Sequence, residues 1–148
     1  MARSALILNG PNLNLLGRRE PEIYGTLTLG DIEQMCRKEG ARLGLAVECR
    51  QSNCEGALVT WMQEASGQFA GVIINPGAYS HTSIAISDAA RSLAEPLIEV
   101  HLSNIHQREI YRHHSYMSLV AKGVICGFGA HGYVMALGAL AVMLDAKA

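Results

Sequence analysis

Short apolar runs alternate along this chain with longer stretches of helical periodicity, and the runs are too far apart to form hairpins. Each run is rich in aliphatic residues and is bounded by turn residues such as Asn, Gly and Pro, which predicts a buried strand. The five predicted strands cover residues 4–8, 45–50, 71–74, 97–102 and 123–126.

Four other stretches carry apolar residues three or four positions apart, which predicts helices over about 29–43, 58–69, 82–93 and 133–144. Alternating strands and helices favour crossover connections and a parallel sheet that is covered on both faces. Five strands in a small doubly wound domain predict an α/β fold, namely a flavodoxin-like three-layer sandwich with strand order 2-1-3-4-5. Because the 148 residues show no repeat or linker, we expect one domain over residues 1–148.

Charge is scarce and balanced in this chain. Charged residues make up 17% of it, against about 25% in an average soluble domain, and the formal net charge is −1. This balance gives no electrostatic basis for binding nucleic acid or an anionic membrane. The low charge, together with the apolar helix predicted at 133–144, favours burial of surface by self-association.

Cysteine usage predicts a reducing compartment. The four cysteines, at positions 36, 49, 54 and 126, form neither a CxxC pair nor a zinc-type arrangement with histidine. Two disulfides would also fit the count. However, the size of the chain and an N-terminal apolar run too short for a signal peptide favour reduced thiols in the cytoplasm.

Residues 123–144 contain no Asp, Glu, Lys or Arg and are long enough to span a bilayer. Five glycines and His131 interrupt this segment. A strand, a glycine turn and a buried helix therefore explain the segment better than a membrane span.

Polar residues collect where the predicted strands end, and ligands of open parallel sheets bind beyond the carboxyl ends of strands. They are Asn9, Asn12 and Asn14 after the first strand, Asn75 and His81 after the third, and His101, Ser103 and Asn104 at the fourth. Segment 17–26 is long for a connection between a strand and a helix, which usually has about 2–6 residues. We expect it to be a functional lid over the site.

Residues 127–132 read GFGAHG, a literal GxGxxG between a predicted strand and a predicted helix. A dinucleotide site also needs an acidic residue about 20 positions on, at the end of a following strand. Asp145 is too near and is predicted to be helical. Glycines that allow a tight turn and close packing are therefore the favoured interpretation.

Other common catalytic arrangements are disfavoured. The sequence has no GxSxG elbow. The neighbours His113 and His114 would point to different sides of any element, which disfavours metal binding by both. Two of the three lysines are predicted on helix surfaces and Lys122 precedes a strand, so imine chemistry, which needs a desolvated lysine, is disfavoured.

Two pairs of residues have side chains suited to acid–base catalysis. Arg19 and Tyr24 place a guanidinium five residues from a phenol within the predicted lid. Glu99 and His101 would share one face of a strand, so the carboxylate can hold the imidazole ring. An exposed loop charge, a packing tyrosine and a structural hydrogen bond remain the alternatives for these pairs taken alone. Arg108 and Arg112, four apart, are predicted to lie on one helix face.

Three ordered blocks give the sequence its family resemblance: NGPNLNLLG with REP and YG after it, NPGAYSHTS, and EVHLSNIHQREIYRHHSY. Together with the closing GVICGFGAHGY they resemble type II 3-dehydroquinate dehydratase over essentially the whole chain. The resemblance implies a hydro-lyase of the shikimate pathway that needs no cofactor or metal. It also implies anti elimination of water from 3-dehydroquinate through an enolate.

The resemblance assigns five catalytic residues. Tyr24 corresponds to the base that takes the proton from the carbon next to the ketone, and Arg19 to the lid arginine that activates it. Asn12 corresponds to the residue that holds a water against the enolate oxygen. His101 corresponds to the acid that protonates the departing hydroxyl, with Glu99 orienting its ring.

The resemblance also assigns the substrate-binding residues and the assembly. Asn75, Leu102 and Ser103 correspond to the carboxylate pocket, and His81 and Arg112 to the residues that read the ring hydroxyls. Asp88 corresponds to a residue supplied across a trimer contact, and four trimers form the family's homododecamer.

Two other functions remain open from the residues alone. A non-catalytic flavodoxin-like module would bind phosphate or flavin at the turn 9–14, but this turn lacks the Ser- and Thr-rich phosphate loop of such proteins. A structural oligomerisation protein would account for the apolar last helix. It would leave the polar residues at the strand ends without a purpose.

Overall fold

The structure is a computed structural model that describes residues 3–18 and 20–147, with Tyr24 and Lys147 described by their backbone alone. Its centre is a parallel sheet of five strands in the order β2-β1-β3-β4-β5, which confirms the predicted order 2-1-3-4-5. The strands are β1 (Arg3–Asn9), β2 (Leu45–Gln51), β3 (Gly71–Asn75), β4 (Leu97–His101) and β5 (Gly123–Cys126).

Burial explains why the ends of the predicted strands agree with those of the observed strands within one residue. The inner strands β1, β3 and β4 are covered on both faces. Strands β1 and β3 therefore contain the continuous apolar runs ALIL and VII, whereas β4 also buries Glu99 and His101. The edge strands β2 and β5 are only partly buried, and β2 carries the paired side chains of Glu48 and Arg50. Charged side chains on an edge strand discourage pairing with another sheet.

The helices are α1 (Pro21–Tyr24), α2 (Leu29–Leu43), α3 (Glu55–Ala65), α4 (Ile84–Arg91) and α5 (His131–Lys147). Helices α2 and α5 cover one face of the sheet, and α3 and α4 cover the other. The start of α2 is fixed by a capping box, in which Thr28 Oγ1 accepts from the Asp31 amide and Asp31 Oδ2 from the Thr28 amide. The result is the predicted three-layer sandwich.

Segment 123–144 forms β5, a glycine turn and most of α5. Gly127 and Gly129 have φ values of 97° and 59°, in the left-handed region that glycine adopts without strain. The favoured interpretation of the GFGAHG motif as a tight turn is thus confirmed. Within the described residues, no helix has the length and apolar character needed to cross a membrane.

Helix α5 is apolar on all sides but only partly covered in the single chain. Its inner face is buried through Tyr133, Leu137 and Leu140, whereas Val142 on the outer face is 69% exposed. The expectation of a buried helix therefore holds for one face only.

One helix prediction is wrong. Arg108 and Arg112 do not lie on one helix face, because the segment forms two short 3-10 turns, Ile105–Gln107 and Ile110–Arg112, with Arg108 between them. Asn104 caps the first turn by accepting from the His106 amide, and the chain is extended again at Arg108. Turns of three residues have no apolar period by which a sequence could reveal them.

The predicted lid, segment 17–26, contains one helical turn, α1, with Pro21 at its first position. Glu20 precedes the turn with a φ of 42°, and the Gly25 amide closes it by donating to the Pro21 carbonyl oxygen. Arg19 lies outside the described residues. The lid function stays a prediction.

Candidate active site

A cleft opens at the carboxyl ends of β1, β3 and β4, as expected for an open parallel sheet. It encloses about 630 Å³ including its open mouth, and its apolar walls come from residues such as Leu13, Leu16 and Ile105. Seven of the eleven residues with predicted roles line it: Asn12, Asn75, His81, His101, Leu102, Ser103 and Arg112. These residues come from three separate blocks of the sequence.

Asn12 lies in the turn after β1 and has a left-handed backbone with φ 69°. A non-glycine residue in this region is uncommon, although asparagine tolerates it better than most residues. The turn is held by the end of β2, because the Asn12 amide donates to Asn53 Oδ1 (2.9 Å) and Gln51 Nε2 donates to the Gly10 carbonyl oxygen (3.1 Å). The backbone that carries Asn12 is thus positioned by the neighbouring strand.

Asn75 is held by a buried chain of hydrogen bonds under the cleft. Its Nδ2 donates to the hydroxyl of Tyr133 (2.9 Å), which donates to Asn9 Oδ1 (2.6 Å), and its Oδ1 accepts from the Gly77 amide (3.2 Å). Burial raises the pKa of Tyr133, which is completely enclosed, so its hydroxyl stays protonated. Both ends of the Asn75 amide are therefore oriented by the protein.

His81 is held in one tautomer. Its Nδ1 lies 2.8 Å from the backbone carbonyl oxygen of His114, which can only accept, so Nδ1 carries a hydrogen. Burial lowers the pKa of the ring against the opposing effect of that hydrogen bond, and the nearby His101 and Arg112 lower it further. A neutral ring leaves Nε2 as an acceptor.

Glu99 and His101 form the predicted pair at the end of β4. His101 Nε2 donates to Glu99 Oε2 at 2.5 Å, and the carboxylate is completely buried. Burial alone would raise the pKa of Glu99, but the His101 hydrogen bond and charge and the hydroxyls of Ser118 and Ser115 outweigh it and hold the pKa below its ordinary value. Glu99 is thus an ionised group, and Nδ1 of His101 is free of hydrogen bonds to the described residues.

Two arginines bring positive charge to the cleft. Arg108 and Arg112 both line it although they do not share a helix. The two 3-10 turns contact each other, and the second one contacts the turn at Gly77–His81, which also contributes to the cleft. Arg112 Nε donates to Glu109 Oε2 at 2.6 Å, which fixes the guanidinium. The site therefore combines two arginines, two histidines and several amides, a set suited to an anionic, hydroxylated ligand.

A model of the family described as "Dehydroquinase class II" matches residues 3–141 of the chain. The chain belongs to this family. A 3-dehydroquinate dehydratase from Brucella canis is 61% identical over 143 residues, which cover 97% of this chain and 91% of that protein.

Solved class II dehydroquinase structures have the same fold. The type II dehydroquinase from Propionibacterium acnes superimposes with a TM-score of 0.93 at 48% identity, covering 96% of this chain and 98% of that one. The type II dehydroquinase from Butyrivibrio crossotus gives 0.91 at 44% identity, covering 94% and 97%. The family resemblance predicted from the three sequence blocks is thus confirmed.

Four of the eleven residues with predicted roles in this class II dehydroquinase are not among the described residues that line the cleft. Arg19 and the side chain of Tyr24 lie outside the described residues. Asp88 is exposed on α4 and does not line the cleft of its own chain. Glu99 does not line the cleft, but its carboxylate accepts a hydrogen bond from His101, which does.

The structure adds residues that sequence reasoning missed. Tyr133 is 58 positions from Asn75, and Ser115 and Ser118 lie in an irregular segment, so no pattern in the sequence links them to the site. Across residues 3–18 and 20–147, no group of three or more His, Cys, Asp or Glu residues is arranged to hold a metal ion.

Proposed function

We propose that this class II dehydroquinase carries out its reaction, the conversion of 3-dehydroquinate to 3-dehydroshikimate and water in the shikimate pathway, by anti elimination through an enolate. The observation that carries this mechanism is the buried Glu99–His101 pair at the wall of a cleft lined by polar residues from three strand ends. A base and a separate acid on opposite sides of the substrate ring permit such a stepwise elimination.

Tyr24 is the proposed base, and it removes the proton from the carbon next to the ketone. A phenol with its ordinary pKa of about 10 is a poor base at neutral pH. Lowering that pKa by about 2 units requires ~3 kcal/mol of preferential interaction with the phenolate. Arg19, five residues away on the same segment, is the proposed source, since a guanidinium keeps its own proton.

The enolate formed in this step needs fixed hydrogen-bond donors. Asn12 is proposed to hold a water molecule against the enolate oxygen. One support is that Asn12 lines the cleft. The other is its left-handed backbone, which the hydrogen bond to Asn53 stabilises, because strained backbone persists where the surrounding structure holds it and is often found at functional sites.

His101 is the proposed acid. Because Glu99 occupies Nε2, the proton passes from Nδ1 to the departing hydroxyl oxygen. The carbon–oxygen bond then breaks with its electron pair on oxygen, the enolate collapses to the conjugated ketone, and water leaves. The carboxylate of Glu99 stabilises the protonated ring before the transfer and orients it throughout.

The other cleft residues are proposed to bind the substrate. Asn75, Leu102 and Ser103 hold its carboxylate, with the Asn75 amide oriented for this by Tyr133. His81 and Arg112 read the ring hydroxyls. A neutral His81 with its hydrogen on Nδ1 accepts from a substrate hydroxyl through Nε2.

We further propose a homododecamer of four trimers in which Asp88 completes the cleft of a neighbouring subunit. Asp88 is exposed on α4, beside Ile84, which is 56% exposed, and Leu119 on the adjoining segment is 66% exposed. Exposed apolar side chains of this size favour an interface over contact with water. The four free cysteines support a reducing compartment, and we propose the cytoplasm.

Co-expression tests the shared site. Oligomers made only of Asp88→Asn chains, or only of His101→Ala chains, are expected to be weakly active, whereas mixed oligomers regain activity. The gain arises where an Asp88→Asn chain, with its intact His101, receives Asp88 from a His101→Ala neighbour. The kcat of purified mixed oligomers is the measurement, and light scattering should give about 190 kDa for twelve chains. If mixing gives no gain, Asp88 does not act across subunits.

The proposed reaction is tested by mixing the purified protein with 3-dehydroquinate and a metal chelator. The ultraviolet absorbance is expected to rise as the conjugated enone forms, because all proposed steps use side chains of the chain. No rise with folded protein would contradict the proposal. A yellow protein, or one that retains nucleotide, would favour the flavin- or phosphate-binding alternative.

A further inference from the structure

The buried carboxylate of Glu99 receives two hydrogen bonds besides the one from His101. Ser115 Oγ donates to Oε2 at 2.7 Å, and Ser118 Oγ donates to Oε1 at 2.7 Å. Hydroxyl-to-carboxylate distances of this length are typical of charge-assisted hydrogen bonds. Each oxygen of Glu99 thus accepts a hydrogen bond from a serine hydroxyl, and Oε2 also accepts one from His101.

Ser115 and Ser118 come from the segment between the 3-10 turn at Ile110–Arg112 and β5. A further short turn, Met117–Leu119, lies across the face of β4 that carries Glu99, and Met117 is buried in the core beside it. Ser115 Oγ also accepts from the Ser118 amide at 3.3 Å, which joins the two serines. Without these donors an ionised carboxylate would be surrounded there largely by apolar side chains, which is costly.

We propose that Ser115 and Ser118 are positioning residues for the acid, keeping Glu99 ionised and turned so that Oε2 meets Nε2 of His101. This inference rests on the proposed function, since it assigns His101 the role of acid. Neither serine lines the cleft, so the proposed role is to position Glu99 and not to contact the substrate.

The proposed role follows from the proton transfer. His101 loses a proton from Nδ1 to the departing oxygen, so its ring must be protonated beforehand and oriented by an anion at Nε2. If Glu99 were protonated, it would no longer stabilise the charged ring. The serine hydroxyls oppose that protonation because they donate to the anionic form.

Other charged groups also face the pair. His81, from the turn at Gly77–His81, lies close enough to His101 and Glu99 for their charges to act on its pKa. The charge of Arg112, from the turn at Ile110–Arg112, acts on His81 as well. The pKa of His81 lies below its ordinary value, so protonation of His81 also contributes to the activity loss at low pH. The test must therefore follow the protonation of Glu99 separately from that of His81.

The first measurement is the titration of Glu99 in Ser118→Ala, followed by the infrared band of the carboxylic acid and assigned by its loss in Glu99→Gln. Protonation of Glu99 is expected at a pH about one unit higher than in the parent. The acid limb of the kcat profile should shift in the same direction, with kcat about 10-fold lower at a given pH on that limb. KM should change less than about 2-fold, because the substrate contacts remain.

Matched variants distinguish a change in the protonation of Glu99 from a general loosening of the segment that carries the two serines. Ser118→Thr keeps the hydroxyl and should restore the parent profile. Ser87→Ala removes a buried hydroxyl that donates to the Tyr116 carbonyl oxygen (3.2 Å), in the same segment but away from Glu99, and should leave the titration unchanged. In a Glu99→Gln background, Ser118→Ala should produce no further shift.

The proposal is overturned if Ser118→Ala leaves the Glu99 titration and the acid limb at their parent positions, or if Ser87→Ala moves them equally. Should Ser115→Ala fail to fold, Ser118→Ala still decides, because Ser118 lies at the exposed surface of the segment. The infrared titration needs no turnover. A parent protein that does not convert 3-dehydroquinate would therefore contradict the proposed function without deciding the role of the serines.

Discussion

Replacing His101 with alanine is expected to lower kcat for the dehydration of 3-dehydroquinate by about 10²–10⁴. The reason is that the departing hydroxyl then leaves without a proton from Nδ1, while the cleft keeps its other donors. KM should change little, since the proposed contacts to the substrate carboxylate and ring hydroxyls come from other residues. The measurement is the rate of enone absorbance in the variant and the parent.

An isotope experiment assigns the loss to the second step. In D₂O the His101→Ala variant is expected to exchange the hydrogen next to the ketone for deuterium, because the base that removes it is unaltered. His106→Ala is the matched control, since His106 is an exposed histidine of the following turn that does not line the cleft. Turnover near the parent level in His101→Ala, or an equal loss in His106→Ala, would show that the acid is another group.

The fold was predictable because burial leaves a direct trace in the sequence. Strands β1 and β3 are covered on both faces over residues 5–8 and 71–74, so these positions are all apolar or glycine. Each run ends at a polar residue, Asn9 or Asn75, at the edge of the sheet. Turn residues then mark the bounds. The apolar pattern marks the ends of α4 less clearly, and this helix ends at Arg91, two residues before the predicted end.

The Glu99–His101 contact was predictable because two residues apart on a strand share a face. The contact is present, although the catalytic roles of the two side chains stay predictions. The serines behind Glu99 could not be found in this way. They lie 16 and 19 positions further along, in an irregular segment whose path is set by tertiary packing.

The chain of Asn9, Tyr133 and Asn75 shows the same limit. Tyr133 reads as one more apolar residue of α5, and only the folded structure brings its hydroxyl under the ends of β1 and β3. The prediction that Arg108 and Arg112 lie on one helix face is wrong for a different reason. A spacing of four residues suggested one helix face, but the local hydrogen bonds of Asn104 and the extended Arg108 interrupt the helix.

Replacing Tyr24 with phenylalanine is expected to lower kcat by at least about 10² while substrate binding is largely kept. The substitution removes only the phenolic oxygen that is proposed to take the proton, and it keeps the aromatic ring. Unlike His101→Ala, this variant should also lose the exchange of the hydrogen next to the ketone in D₂O. The two experiments together therefore place the base before the acid in the reaction.

Tyr111→Phe is the matched control for Tyr24→Phe. Tyr111 lies beside a guanidinium, as is proposed for Tyr24, with the Arg112 Cζ 5.3 Å from its ring centre. Tyr111 is, however, 66% exposed and does not line the cleft. A nearby positive charge is observed for Tyr111 and proposed for Tyr24, whereas a place next to the substrate is proposed for Tyr24 alone. We expect Tyr111→Phe to keep the parent kcat. If Tyr24→Phe keeps it as well, or retains the deuterium exchange, the proton is removed by a different residue.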